Sequence, residues 1–378
     1  MTAVIWIDWY SYHVARLRAL VDHELFNREV IGIEMVGGCG VHTGMQFSDK
    51  DRQGLPITSL CPSRNWNDIP QTTLARALWQ KLNELQPSSV LVPGWYTIPA
   101  LAAALWAKLH GKRSILMSET TKGDHARVWW KEIPKRLLIN SLFDYSIAGG
   151  APHKRYLIQL GFPAERIGLF YDVVDNTFYH EATELTRRST SPAETDLPKN
   201  YFLYVGRFAP EKNLSTLIRA FAAYRERGGT WSLVLVGDGP DRDDIISQSR
   251  NAGVDNHIRF TGLKTTKESI LYYAFAGCFV LPSIREPWGL VVNEAMASSL
   301  PVIVSSKCGC VEDLVQPGVN GYLFDPSMDG QLTENMLAIS TTSPAAIDAM
   351  RRRSREIIAG FSPKQWAIEV ARAVTDRT

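Results

Sequence analysis

Short apolar runs recur along this chain, and stretches with helical spacing lie between them. Val4-Ile5-Trp6-Ile7 comes first and is followed by a helical pattern from Val14 to Leu25. Val90-Leu91-Val92 precedes a helix at Pro99 to Leu109, and Ile115-Leu116-Met117 precedes a mixed loop. Tyr145-Ser146-Ile147-Ala148 then leads into His153 to Leu160. A strand covered on both faces has no polar side, so it shows as a continuous apolar run, and parallel sheets bury their strands in this way. Strand and helix in alternation predict βαβ units around a parallel sheet.

The alternation lapses and then resumes. Glu181 to Asp196 is rich in Ser, Thr, Glu and Arg without an apolar period, which predicts a linker. A second series follows, with strands at Tyr201 to Val205, Trp231 to Val236, Ile258 to Thr261, Cys278 to Leu281 and Pro301 to Ser305. Trp366, Ile368, Val370 and Ala371 mark a last helix at helical spacing. The reading is therefore an α/β protein with a first domain at 1–178, a linker at 179–200, a second domain at 201–360 and a terminal helix within 361–378. With 378 residues, 45% of them hydrophobic, there is ample core for two such domains.

Charge and cysteine usage exclude several classes. Forty-one basic and 39 acidic residues give a net charge of +2, without the excess a nucleic-acid binder needs. Five cysteines at irregular spacing make no disulfide framework. Cys308-Gly309-Cys310 lacks a second pair for zinc. No leader precedes the first strand and no apolar run spans a bilayer, so the expected setting is cytoplasmic.

Four strand ends in the second half carry candidate chemistry. Gly206-Arg207 and Lys212 lie between a strand and a helix, where two cations and the helix dipole favour a diphosphate. Taken alone, a capped helix with surface cations explains them equally well. Gly237-Asp238-Gly239-Pro240 and Gly262-Leu263 mark two more strand ends, each weak by itself. The fourth is Glu286-Pro-Trp-Gly289-Leu290-Val291-Val292-Asn293-Glu294, two carboxylates flanking a glycine at a helix start. Amides from Gly289 to Val291 would face a phosphate or hydroxyl, and each glutamate would accept from sugar hydroxyls. The plainer alternative is a helix-end acid with an ion pair.

The order of these motifs from Tyr201 to Pro326, with Pro301-Val302-Ile303 and Asn320-Gly321-Tyr322-Leu323-Phe324, resembles the donor domain of retaining GT-B glycosyltransferases of family four. That resemblance covers about a third of the chain. It implies two Rossmann-like domains facing across a cleft, with the C-terminal helix crossing back to the N-terminal domain. It also implies transfer of a sugar from a nucleoside diphosphate sugar with retained anomeric configuration. Carried over, Arg207, Lys212 and Glu286 become the catalytic set, the two cations on the diphosphate and Glu286 on the donor sugar. Glu294 would hold the ribose, and Gly206, Gly237, Gly262, Leu263, Gly289, Leu290 and Val291 complete the donor site. No Asp-x-Asp motif appears where a divalent ion would be needed, so neither metal nor cofactor is expected beyond the nucleotide sugar itself.

The first half departs from the family pattern. The loop after its first strand, Asp8 to His13, has no glycine, and Ser118-Glu119-Thr120 stands where many members have a histidine. His13, His125 or Glu119 would serve the acceptor side, or the histidines are simply satisfied and partly buried, and Trp95-Tyr96 would form a sugar platform or simply pack. Arg127 to Lys131 and Lys135 to Leu138 combine Trp with Lys and Arg, as an interfacial helix does. That stretch would dock on the inner face of a membrane if the acceptor were lipid-linked, or pack as an ordinary amphipathic helix. The acceptor class stays open among glycans, lipid-linked sugars and small molecules. Two other readings remain, a phosphorylase-like GT-B enzyme and a nucleotide-sugar binding module without turnover. A dinucleotide dehydrogenase is disfavoured, because no Gly-x-Gly-x-x-Gly follows the first strand.

Overall fold

The computed structural model describes residues 1–27, 29–37, 52–124, 129–328 and 330–376, with backbone only at 129–131. The chain forms two compact units, Met1–Asp175 with Phe361–Thr378, and Asn176–Gly360.

Unit 1 is built on a seven-stranded parallel sheet of order β3-β2-β1-β4-β5-β6-β7. Its strands are β1 (Thr2–Trp6), β2 (Val30–Val36), β3 (Ile57–Cys61), β4 (Ser89–Pro93), β5 (Arg113–Ser118), β6 (Tyr145–Ala148) and β7 (Ile167–Gly168). Alternate residues serve opposite faces. Ala3, Ile5, Val90, Val92 and Leu116 face the helices Gln71–Leu85 and Ile98–Leu109. Val4, Trp6, Leu91, Ile115 and Met117 face the other way, against helix Ser11–Val21 and the last helix, Pro363–Thr375. With both faces covered, no strand keeps a polar side. Trp366, Ala367 and Val370 are buried in that second face, so the last helix returns to the unit in which the chain began.

Unit 2 repeats the plan with six parallel strands of order β10-β9-β8-β11-β12-β13. They are β8 (Tyr201–Val205), β9 (Ser232–Val236), β10 (Ile258–Phe260), β11 (Cys278–Leu281), β12 (Val302–Ser305) and β13 (Gly321–Phe324). From β8 the chain winds one way through β9 and β10, and from β11 the other way through β12 and β13. The loops after β8 and β11 consequently diverge and leave a crevice at their carboxyl ends.

The expected linker at 179–200 is corrected. Asn176–Ser189 is an α-helix belonging to unit 2, with Tyr179 and Thr183 buried one turn apart. Its buried stripe uses Tyr and a Thr whose hydroxyl donates to Tyr179 O at 2.7 Å, so no apolar period shows in the sequence. Arg187 fixes the helix further, donating to Ala274 O at 2.7 Å and Ser298 O at 2.8 Å. The expected helix from Val14 to Leu25 starts earlier and stops sooner, at Ser11–Val21, with a 3₁₀ turn at Glu24–Phe26. Among the described residues, no helix is long and apolar enough to cross a membrane.

Candidate functional site

The crevice of unit 2 brings the second-half motifs together. The loop after β8 is tied to the loop after β9, because Phe208 N–H donates to Asp238 O at 2.8 Å and Asp241 N–H to Phe208 O at 3.1 Å. It is also tied to the loop after β11, because Ile284 N–H donates to Glu211 O at 2.9 Å. Gly237 donates to Gly262 O at 3.0 Å, joining the third loop to this set. At Gly237, φ is 141° and an added Cβ would lie 1.9 Å from Gly206 O, so only glycine lets these turns meet. Close backbone contact, rather than ligand chemistry, accounts for that glycine.

Lys212 and Glu286 sit on facing loops and form an ion pair with each other. Ser283 Oγ donates to the same Glu286 oxygen at 3.0 Å. Arg207 pairs with Glu211 at 2.7 Å and remains half exposed. Burial raises the Glu211 pKa, but the Arg207 hydrogen bond and charge outweigh it and hold the carboxyl below its usual range. Beneath them the buried Tyr204 donates its hydroxyl to Arg207 O at 2.8 Å. Glu286 O accepts from Gly309 N–H at 2.9 Å and Trp288 O from Cys310 N–H at 3.2 Å, so the loop is braced from β12's side as well.

Gly289 caps helix Leu290–Ala297 with φ 104°. The first amides of a helix have no intrahelical acceptor, so those of Gly289, Leu290 and Val291 are available to an anion. Glu294 lies farther along the same helix. Its Oε2 accepts from Tyr273 Oη at 2.7 Å, and Tyr179 is a second hydroxyl donor. Burial raises the Glu294 pKa above the carboxylate norm, and the two tyrosine bonds only partly offset it. Gly262 has φ 73°, and Leu263 beside it is exposed, an apolar surface at a third strand end.

Sequence reading missed Ser283, Glu211, Tyr273 and Tyr179. Glu211 was visible as the i+4 partner of Arg207. Tyr179 was hidden because it falls in the segment that looked like a linker.

In unit 1 the candidates disperse. His13 is buried and stacks on Trp6 at a centroid distance of 4.5 Å. Its Nδ1 accepts from Tyr10 N–H at 3.3 Å, and burial with the nearby Arg16 charge holds its pKa well below 6.5. That placement is the satisfied, buried histidine of a helix start, the alternative to an acceptor-side group. Trp95 is buried in the core, the packing alternative for that ring, whereas Tyr96 is 74% exposed. Glu119 is exposed just past the carboxyl end of β5. His125 lies outside the described residues. Behind Glu119 the buried Arg16 donates to Val173 O at 3.2 Å from Nη2 and lies 3.8 Å from Asp172. Burial, and then the Glu119 charge, keep the Asp172 pKa raised. Lys154 donates to Ile167 O at 3.0 Å, and Asn176 Nδ2 to Ile358 O at 2.8 Å, both structural roles.

Comparisons with known proteins bear on the second unit and on the fold. Residues 187–356 match the family model of Glycosyl transferases group 1. A 2-deoxystreptamine N-acetyl-D-glucosaminyltransferase of Niallia circulans is 30% identical over 168 residues, 44% of this chain and 43% of that protein. The aligned segments thus span less than half the length of such curated relatives. Among solved structures, HepE of Anabaena in complex with UDP and glucose superposes with a TM-score of 0.72 at 17% identity, over 98% of both chains. A trehalose-phosphate synthase of Burkholderia xenovorans with glucose-6-phosphate gives 0.74 at 13% identity over 100% of both. The fold is GT-B, two parallel-sheet Rossmann-like domains, and the unit carrying the crevice is similar to the group 1 glycosyltransferase domain.

Proposed function

We propose that this chain is a retaining glycosyltransferase of family four. It moves a sugar from a nucleoside diphosphate sugar to an acceptor hydroxyl, without a metal ion or cofactor. One observation carries the reading: Lys212, Arg207, Glu286 and the first amides of helix Leu290–Ala297 gather on linked loops at the carboxyl ends of β8 and β11.

In this reaction the bond from the anomeric carbon to the phosphate oxygen breaks and charge grows on the leaving diphosphate. Lys212 and Arg207, with the helix amides, stabilise that charge from fixed positions. Glu286 accepts from hydroxyls of the donor sugar, and Glu294 from the ribose. Glu286 is already engaged by Lys212 and Ser283, which suits hydroxyl recognition better than nucleophilic attack. Retention then follows from acceptor attack on the face the leaving group vacates. The acceptor is a glycan, a lipid-linked sugar or a small molecule, with the exposed Glu119 and Tyr96, each just past the carboxyl end of a unit 1 strand, as its candidate contacts. The names of the relatives, which include a 2-deoxystreptamine glycosyltransferase, support this class. A lipid-linked acceptor would suit helix Trp129–Leu142, where Ile133 and Leu137 are exposed beside Lys135 and Arg136. Sedimentation with anionic vesicles at low salt tests that docking, and absence of binding would exclude it.

A thermal-shift panel of UDP-, GDP- and ADP-sugars identifies the donor, since a ligand at 100 times its Kd stabilises by about 2.7 kcal/mol. The matching donor should release nucleoside diphosphate slowly in water and faster with acceptor, and the product should keep the donor's anomeric configuration by NMR. An inverted product overturns retention. Donor binding with no release under any acceptor would favour the binding-module reading.

A further inference from the structure

Unit 2 contains a second cationic pocket that the donor site does not use. It opens where its first helix, Asn176–Ser189, meets its last, Pro344–Ala359, and it encloses about 320 Å³. Arg187, Arg351, Arg352, Arg355 and Ser299 line it, with Glu184 and Asp348 as the acids. Asp348, Arg351, Arg352 and Arg355 follow i, i+3, i+4 and i+7 spacing and so share one helix face.

Four guanidinium groups meet two carboxylates here, which leaves two positive charges uncompensated. Arg187 donates to Glu184 at 2.7 Å, and Arg351 lies 3.4 Å from Asp348. No ion pair engages Arg352 or Arg355 among the described residues. The pocket wall also holds polar atoms without partners. Ser299 is 8% exposed, its φ of 63° turns it into the lining, and its Oγ has no hydrogen-bond partner. Arg351 Nε is buried and equally unsatisfied. Buried donors left unpaired are costly, and two of them beside surplus positive charge call for an oxyanion. Burial lowers the Arg187 pKa; the Glu184 carboxylate works against that, and the neighbouring Arg351 charge adds a smaller push in the same direction as burial.

We propose that this pocket binds the phosphoryl dianion of a phosphate monoester, separately from the nucleotide-sugar site. A dianion matches the two surplus charges. Planar guanidinium forks bind phosphate oxygens in pairs, while Ser299 Oγ supplies a further donor. The volume admits the phosphoryl group and part of whatever carries it. A bound anion would cross-link the first and last helices of the unit, which Asn176 already joins at one end through Ile358 O.

The test uses the full chain carrying Arg207→Ala and Lys212→Ala, so that the donor site cannot answer for the pocket. Inorganic phosphate and glycerol phosphate are titrated by thermal shift and calorimetry against chloride at matched ionic strength. Vesicles of phosphatidylcholine with and without phosphatidic acid form a second arm. Saturable binding of the soluble phosphates, weakened about tenfold or more by Arg352→Ala with Arg355→Ala, supports a soluble ligand. The same dependence seen only with phosphatidic acid vesicles supports a lipid headgroup. Ser299→Gly accepts the left-handed backbone and should weaken binding while leaving the unfolding midpoint in chloride nearly unchanged. Binding in neither arm, or binding that ignores both sets of variants, overturns the proposal.

Discussion

Lys212 and Glu286 neutralise each other, so under the proposed function a diphosphate has to compete with a carboxylate for the ammonium group. The competition is favourable if the released Glu286 finds sugar hydroxyls at the same moment. Lys212→Ala should therefore lower kcat by about 10²–10³, the usual cost of removing one group that stabilises transition-state charge. Steady-state kinetics with the matching donor checks this; a change in KM alone would move Lys212 out of the chemistry. Glu294 gives a pH prediction. Folding raises its pKa above 4.5, so the folded chain holds this proton more tightly than the unfolded chain does. Stability is then lost as pH rises from the unfolded value through the folded one. Glu294→Gln should melt higher than the parent at about pH 7.5, the gap closing toward about pH 4, while nucleotide binding weakens. Melting curves across that range, without ligand, decide it.

Strands were the legible elements, and the loops between them were legible only in part. Runs such as Tyr201–Val205 and Cys278–Leu281 advertise themselves because both faces are buried. Strands Val30–Val36 and Ile57–Cys61 escaped notice because they carry Glu34, Thr58 and Ser59 in the runs. Helix Asn176–Ser189 was hidden by the polar make-up of its buried stripe, and with it Tyr179, a donor to Glu294. The site cations and glutamates were readable as motifs in order, yet the pairing of Lys212 with Glu286 was not, because it depends on how two loops 74 positions apart meet. Whether His13 and Trp95 pack or face a ligand was left open in the sequence, because a residue type tells little about burial near a strand end; both are buried. The loops themselves offer a test. Gly237→Ala puts a Cβ against Gly206 O and forces φ 141° on an L side chain. It should cost about 1–3 kcal/mol in urea unfolding and weaken donor binding as well, since three loops lean on that turn.

At the scale of the molecule, the last helix decides the integrity of unit 1. Trp366, Ala367, Val370 and Ala373 are all buried against Val4, Trp6, Ile115 and Tyr145. A chain ending at Gly360 loses that cover, and exposing the large side chains on both sides should cost unit 1 on the order of 5 kcal/mol. Limited proteolysis should then digest residues 1–175 while the Asn176–Gly360 unit survives; equal resistance of both would contradict the assignment of the helix.

That same return of the chain has a consequence for biosynthesis. Unit 1 is written in two pieces, separated by the 185 residues from 176 to 360. Translation at about 5–20 residues per second leaves the first piece waiting roughly 10–40 s for its missing helix. During that interval the nascent chain carries an apolar sheet face covered on one part only, by helix Ser11–Val21, while the second unit can already fold to completion. The order of maturation is thus the reverse of the order of synthesis, and the waiting first unit is the part of the chain most exposed to misassembly before its last helix arrives.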